Sequence, residues 1–329
     1  MALLRECLRG VRTLHGENMP PPLCMRSTVS EPGFNSGRIM QTRTPLPGTP
    51  QPMHVWKGYR GVALAGDSWG DPKGPLVLLL HGLGQTRHAW RFTGQLLGKA
   101  GYHAVAFDAR GHGDSDWAPD GDYTRESMVC DLCCLVQALG GKRPILLGAS
   151  MGGATSLVAV GERYIDASAL ILVDIVPTTE SEGVARIKSF MKQNAEGFVS
   201  LEHVAETVNR YRPPTRGSGN LAGLAKNVRL GADGKYHWHW DPLLMARLPV
   251  PKDRLVESAR RLSLPTLLVR GGHSDVVSEQ GVSDFLALCP HSEYINVAGA
   301  GHMVAGDRND TFGEAALDFL QRKVPAAAY

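Results

Sequence analysis

A serine set among small residues, Gly148-Ala149-Ser150-Met151-Gly152-Gly153, lies between the apolar run Pro144 to Leu147 and the helix-like stretch Ala154 to Val160. A serine hydroxyl is a poor nucleophile in water. It becomes a useful one where a strained strand-to-helix turn lifts it out of a sheet and a histidine can take its proton. Gly148 and Gly152 suit such a turn because the strand and the following helix must approach closely there. Reactive residues also follow four other apolar runs. These are His81-Gly82-Leu83-Gly84-Gln85, Asp108-Ala109-Arg110-Gly111-His112-Gly113-Asp114-Ser115, Gly271-Gly272-His273-Ser274-Asp275 and Gly299-Ala300-Gly301-His302-Met303. Acyl transfer needs a nucleophile, a base, an acid that orients the base, and donors for an oxyanion, and these segments hold the residue types for it.

A sheet must bring these segments together. Short apolar runs at Gly61 to Ala65, Leu76 to Leu80, His103 to Phe107, Pro144 to Leu147, Ala169 to Val173, Thr266 to Val269 and Tyr294 to Val297 predict strands buried on both faces of a parallel sheet. Between them, Trp90 to Lys99, Thr124 to Leu139, Ala154 to Glu162, Glu279 to Leu288 and Thr311 to Arg322 read as crossover helices, the alternation of a doubly wound α/β domain. Ligands of such sheets bind at the carboxyl ends of the strands, where all five reactive segments fall. Between Asp174 and Pro265 lie about ninety residues with helical patches at Gly183 to Asn194 and Leu201 to Tyr211, too long for a structureless connection. A mostly helical cap is expected there. The chain then divides into a proline-rich, poorly ordered arm (1–52), a first core part (53–175), a cap (176–260) and a second core part (261–329).

The order Ser150, Asp275, His302, with His81-Gly82 upstream and the Asp108 to Gly113 turn between, resembles the α/β-hydrolase superfamily; the Ser-Met-Gly-Gly turn is similar to its bacterial esterase and cofactor-free haloperoxidase-like branch. The resemblance spans residues 58 to 322. It implies an α/β-hydrolase fold with a mostly parallel central sheet flanked by helices and a mainly helical cap after the sixth strand. Residue by residue, it makes Ser150 the nucleophile, His302 the base, Asp275 the acid that orients His302, and the backbone N–H groups of Leu83 and Met151 the oxyanion donors. Asp174, at the end of the preceding strand, and Asp307 are rivals of Asp275. By the same likeness His81 shapes the oxyanion loop, and His112 and Asp108 are structural.

The cap holds Tyr236-His237-Trp238-His239-Trp240-Asp241, an alternating aromatic run. Trp238 and Trp240 either line a pocket for an apolar or aromatic group or pack into a small core of the cap itself. His88 and Trp90, just after the oxyanion loop, are further candidates for the pocket wall, and Phe190 and Met191 join them from the cap.

Hydrolysis of a carboxylic ester, lactone or thioester through an acyl-serine is the leading expectation. Carbon–carbon bond hydrolysis or peracid formation on the same triad, and a non-catalytic receptor of the same fold, are the alternatives. An aspartate nucleophile is excluded by Ser150, and with it the alkyl-enzyme route of related dehalogenases and epoxide hydrolases. Composition narrows the classes further. With 43% hydrophobic and 20% charged residues the chain is globular, and its net charge of +3 is scattered, so nucleic acid is not an expected partner. No apolar run is long enough for a membrane span. The six cysteines show no disulfide framework; Cys130, Cys133 and Cys134 have poor zinc spacing and are read as small buried hydrophobes. No metal site and no cofactor are expected, and the partner is a small-molecule substrate; a homo-oligomer stays open. Arg5, Arg9 and Arg12 among leucines bear a weak likeness to a transit peptide that Glu6 and Glu17 oppose, leaving cytoplasmic residence as the default expectation.

Overall fold

The computed structural model of the chain describes residues 44–45, 49–211, 224–247, 251–302 and 309–326. Most of the expected arm, and Asp307, lie outside the described residues.

The strands are β1 (Thr44–Pro45), β2 (His54–Lys57), β3 (Ala63–Trp69), β4 (Leu76–Leu80), β5 (His103–Phe107), β6 (Ile145–Ala149), β7 (Ala169–Val173), β8 (Val228–Leu230), β9 (Tyr236–Trp238), β10 (Thr266–Gly271) and β11 (Glu293–Val297). The helices are α1 (Arg91–Lys99), α2 (Arg125–Ala138), α3 (Met151–Gly161), α4 (Ser181–Lys192), α5 (Leu201–Tyr211), α6 (Leu244–Arg247), α7 (Lys252–Arg260), α8 (Glu279–Leu288) and α9 (Asn309–Lys323). Eight strands form one sheet in the order β11-β10-β7-β6-β4-β5-β3-β2. Its strands run parallel except at one edge, where β3 lies antiparallel to β5 and β2 antiparallel to β3.

Both faces of the sheet are covered, so the central strands are apolar throughout. Along β4, Leu76, Leu78 and Leu80 join the core under α2, α3, α7 and α8, while Val77 and Leu79 join the core under α1 and α9. The same alternation divides β7, with Leu170 and Leu172 on one side and Ala169, Ile171 and Val173 on the other. Side-chain caps start two of the helices: Thr124 Oγ1 accepts from Ser127 N ahead of α2, and Ser278 Oγ accepts from Gly281 N ahead of α8. The chain leaves the sheet after β7, the sixth strand of the main sheet, and returns at β10.

Three expectations need correction. The insertion is mainly helical, as expected, and also holds the antiparallel pair β8 and β9, to which β1, from the arm expected to be poorly ordered, adds with Thr44 opposite Leu230 and Pro45 opposite Arg229. The end of the expected arm is therefore paired into the cap. Next, the cap ends before residue 260, because α7 packs against α3 as a crossover helix. Leu255 and Ala259 belong to the main core, and a Cβ on Gly161 would lie 2.5 Å from the Ser258 carbonyl oxygen. Finally, β2 was not expected; three of its four residues are exposed on an edge strand, which leaves little apolar pattern to read. Of the cysteines, Cys130 is buried in the core and Cys133 and Cys134 are half-buried. No helix among the described residues is long and apolar enough to cross a membrane.

Candidate active site

Ser150 sits between β6 and α3 with φ 45° and ψ −108°, a backbone conformation that costs a non-glycine residue about 1–3 kcal/mol. The neighbouring chain compels it. Ser150 N donates to Val173 O at 3.0 Å, tying the turn to the adjacent strand β7. Glycine is required on both sides: a Cβ on Gly148 would lie 2.6 Å from the Gly152 carbonyl carbon, and one on Gly152 would lie 2.4 Å from the Leu80 carbonyl oxygen. The helix thus starts directly over the sheet, and the Met151 N–H is one of the first-turn donors that an α-helix leaves without an internal partner.

His302 reaches Ser150 from beyond β11. Its Nε2 is 3.1 Å from Ser150 Oγ and its Nδ1 is 2.6 Å from Asp174 Oδ2. A carboxylate only accepts, so Nδ1 carries the proton toward Asp174 and Nε2 is left to accept the serine proton.

The acid at His302 is therefore Asp174 and not Asp275. Asp174 follows β7, the strand beside Ser150, and is fully buried. Its charge is held by donors: Gly271 N gives to Oδ1 at 2.9 Å, and Ser274 Oγ gives to Oδ2 at 2.5 Å alongside His302. Such a set offsets the desolvation of a buried carboxylate. Asp275 lies near this loop, but its half-buried carboxylate pairs with Arg186 of α4 at 2.6 Å.

Leu83 and Met151 both line the cavity at Ser150. The loop that carries Leu83 is held by three buried histidines. His81 Nδ1 donates to Gly82 O at 2.8 Å and its Nε2 accepts from Ala109 N at 2.9 Å. His112 Nε2 accepts from Gly84 N at 3.2 Å, and its Nδ1 lies 3.2 Å from Arg110 O. From the cap, His239 Nδ1 accepts from Gly113 N at 2.8 Å, and its Nε2 lies 3.2 Å from Gly84 O. Each ring bridges one N–H and one carbonyl, which only a neutral imidazole can do. Burial lowers the pKa of all three, those of His112 and His239 well below the usual value. His112 and His239 were absent from the expected site. The alternating run Tyr236 to Asp241, which brings Trp238 and Trp240 together, sets His239 between them, and that is the available signal.

Beneath the loop, fully buried Arg87 binds Asp67 at 3.0 Å, Asp108 at 2.5 Å and Asp114 at 2.7 Å, and Arg229 of β8 binds Asp114 at 2.7 Å. Asp108 Oδ1 also accepts from Arg87 N at 2.6 Å. Asp108 is structural, as its turn implied. Buried Arg125 of α2 donates to Met151 O at 2.8 Å and to Thr155 Oγ1; burial, and then the charge of Arg254, lower its pKa to about 10.

The cavity holds about 800 Å³. His88, Trp238 and Trp240 line it, with Phe190 and Met191. The tryptophans stack at 4.6 Å and are 7% and 3% exposed, so they are both pocket wall and cap core. Trp90 does not line the pocket. It ends the 3₁₀ turn Arg87–Trp90, joins the core under α1 and α9, and is fully buried 5.9 Å from Phe312 of α9.

Residues 75–308 match the family model of the alpha/beta hydrolase fold. The chain belongs to that family. It is 27% identical over 264 residues to the sn-1-specific diacylglycerol lipase ABHD11 of Mus musculus, covering 76% of this chain and 82% of that one. It is 28% identical over 256 residues to the 3-hydroxybutyrate-oligomer hydrolase of Cupriavidus necator, covering 73% and 86%. Among solved structures, E-2-(acetamidomethylene)succinate hydrolase superposes with a TM-score of 0.72 at 23% identity, covering 82% of this chain and 98% of that one.

Proposed function

We propose that this α/β-hydrolase is a serine hydrolase that cleaves a carboxylic ester with an apolar or aromatic body through an acyl-serine intermediate. The observation that carries this reading is His302, in reach of both Ser150 Oγ and Asp174 Oδ2 at the wall of an 800 Å³ cavity. Ester-bond hydrolysis is also the activity in the names of the lipase and the oligomer hydrolase it resembles.

Ser150 Oγ attacks the carbonyl carbon as His302 Nε2 takes its proton, and Asp174 stabilises the imidazolium. The N–H groups of Leu83 and Met151 bind the oxyanion, each such donor being worth about 3 kcal/mol of barrier. His302 returns the proton to the departing alcohol, and water then cleaves the acyl-serine by the same steps. The stacked tryptophans and Phe190 give the apolar contact for the substrate body.

The test is intact-mass spectrometry after fluorophosphonate treatment, beside turnover of p-nitrophenyl esters of graded acyl length. Stoichiometric labelling and turnover that both vanish in Ser150→Ala are expected. Labelling that persists in the variant, or labelling without turnover of any ester, overturns the reading.

A further inference from the structure

The charge of the cavity wall is one-sided. Among the described residues, four cationic side chains line it, Arg125, Lys188, Lys226 and Lys252, and no aspartate or glutamate does. The carboxylates nearest the oxyanion loop, Asp67, Asp108 and Asp114, are bound beneath it by Arg87 and Arg229, and Asp174 is taken by His302, Gly271 and Ser274.

Two helices allow a direct comparison. On α4, Arg186 pairs with Asp275 at 2.6 Å, while Lys188, which lines the cavity, has no ion-pair partner among the described residues. On α7, Arg254 pairs with Glu162 at 2.6 Å and also with Glu126, while Lys252, which lines the cavity, has no partner there either. The third lysine, Lys226, lies half-buried in the 3₁₀ turn before β8 and likewise has none. Burial first, and then the charge of Arg87, hold the pKa of His88 below its usual value against Asp108 and Asp67, with Lys226 the smallest contribution. On these two helices the paired arginines, Arg186 and Arg254, lie outside the cavity lining, whereas the lysines that line it have no ion-pair partner among the described residues. Lys188 and Lys252 are exposed and Lys226 is half-buried, and cations of one sign around a cleft raise the local concentration of an anionic ligand.

We propose that the cavity selects esters whose apolar body carries an anionic group, a carboxylate or a phosphate, away from the scissile bond, and that Lys188, Lys226 and Lys252 receive it. This rests on the ester-hydrolase reading and narrows its substrate class. Water adds across the acyl C–O bond, giving a carboxylic acid and an alcohol, one of which keeps the original anionic group.

Three esters of matched length test it: p-nitrophenyl hexanoate, mono-p-nitrophenyl adipate with a carboxylate on the acyl side, and 4-(hexanoyloxy)phenyl phosphate with a phosphate on the alcohol side. At low salt, kcat/KM for at least one anionic ester, corrected for spontaneous hydrolysis, is expected to exceed that of the neutral ester about tenfold. The ratio should fall toward one in about 0.5 M NaCl, where the screening length is only a few ångströms. It should also fall in the triple variant Lys188→Gln, Lys226→Gln, Lys252→Gln. Which ester is favoured distinguishes a carboxylate from a phosphate and the acyl side from the alcohol side. A ratio of one or below for both anionic esters, or a preference that survives the triple variant, overturns the proposal. Kd values of the same esters for Ser150→Ala protein give the ratio without turnover, so failure of the acyl-serine chemistry and failure of the charge preference read out separately.

Discussion

Asp174 and Asp275 are separated by a distinction that only spatial neighbours make. Asp275 stands in a glycine-rich loop after β10, in the order the family likeness implies for the acid, whereas Asp174 looks from the sequence like the end of an apolar strand. Yet a carboxylate buried directly behind such a strand is costly unless donors surround it, and Asp174 has three. Asp174→Asn should therefore lower kcat for a p-nitrophenyl ester by about four orders of magnitude, the scale on which a triad acid acts through the histidine tautomer. Asp275→Asn, which loses only the partly solvated pair with Arg186, should keep kcat within about threefold of the parent. Equal losses in the two variants would return the role to Asp275. Ser150 and His302 were legible because glycine spacing and chain order mark them. The acid was ambiguous because two aspartates end neighbouring strands, and only the direction of His302 Nδ1 decides between them.

At the level of elements, the strand-to-helix alternation made the parallel sheet readable, since β4, β5 and β7 are uninterrupted apolar runs with the boundaries expected. What it could not give was the set of loop-to-loop ties. Trp90 and His88 are two residues apart in one 3₁₀ turn, yet Trp90 joins the core and His88 lines the cavity, and no periodicity in a turn that short predicts which of them does which. His239 reaches Gly84 and Gly113 from the cap across more than a hundred residues of sequence. With Gly113 N donating to its Nδ1, the ring gives its Nε2 proton to Gly84 O, so one neutral imidazole joins the cap, the Arg110 to Ser115 turn and the oxyanion loop. His239→Ala should loosen the loop, lowering kcat about tenfold with little change in KM, because a displaced oxyanion donor acts in the transition state. His239→Gln, whose amide also accepts at one end and donates at the other, should recover most of the loss. A variant that changes KM alone would make His239 a substrate contact and not a positioning residue.

For the whole molecule, the three bridging histidines couple the active site to pH. His81, His112 and His239 are neutral and buried in the folded chain, with pKa values lowered chiefly by desolvation, whereas in the unfolded chain each titrates near 6.5. Below about pH 6.5 the unfolded state binds more protons than the folded state, so stability decreases as pH falls through that value toward the lowered folded-state pKa values. Above it, the contribution is fully present and independent of pH. Each histidine withdraws up to about 1.3 kcal/mol between pH 7 and pH 5.5. A protonated ring also cannot accept the N–H it holds, so the oxyanion loop and the cap should loosen together. Urea unfolding should show the midpoint falling over this interval, with a shallower fall in His239→Gln, which carries one fewer titrating bridge. A midpoint that stays level from pH 7 to pH 5.5 would mean that the three rings are solvated enough to titrate alike in both states, and the neutral clamp on the oxyanion loop would have to be abandoned.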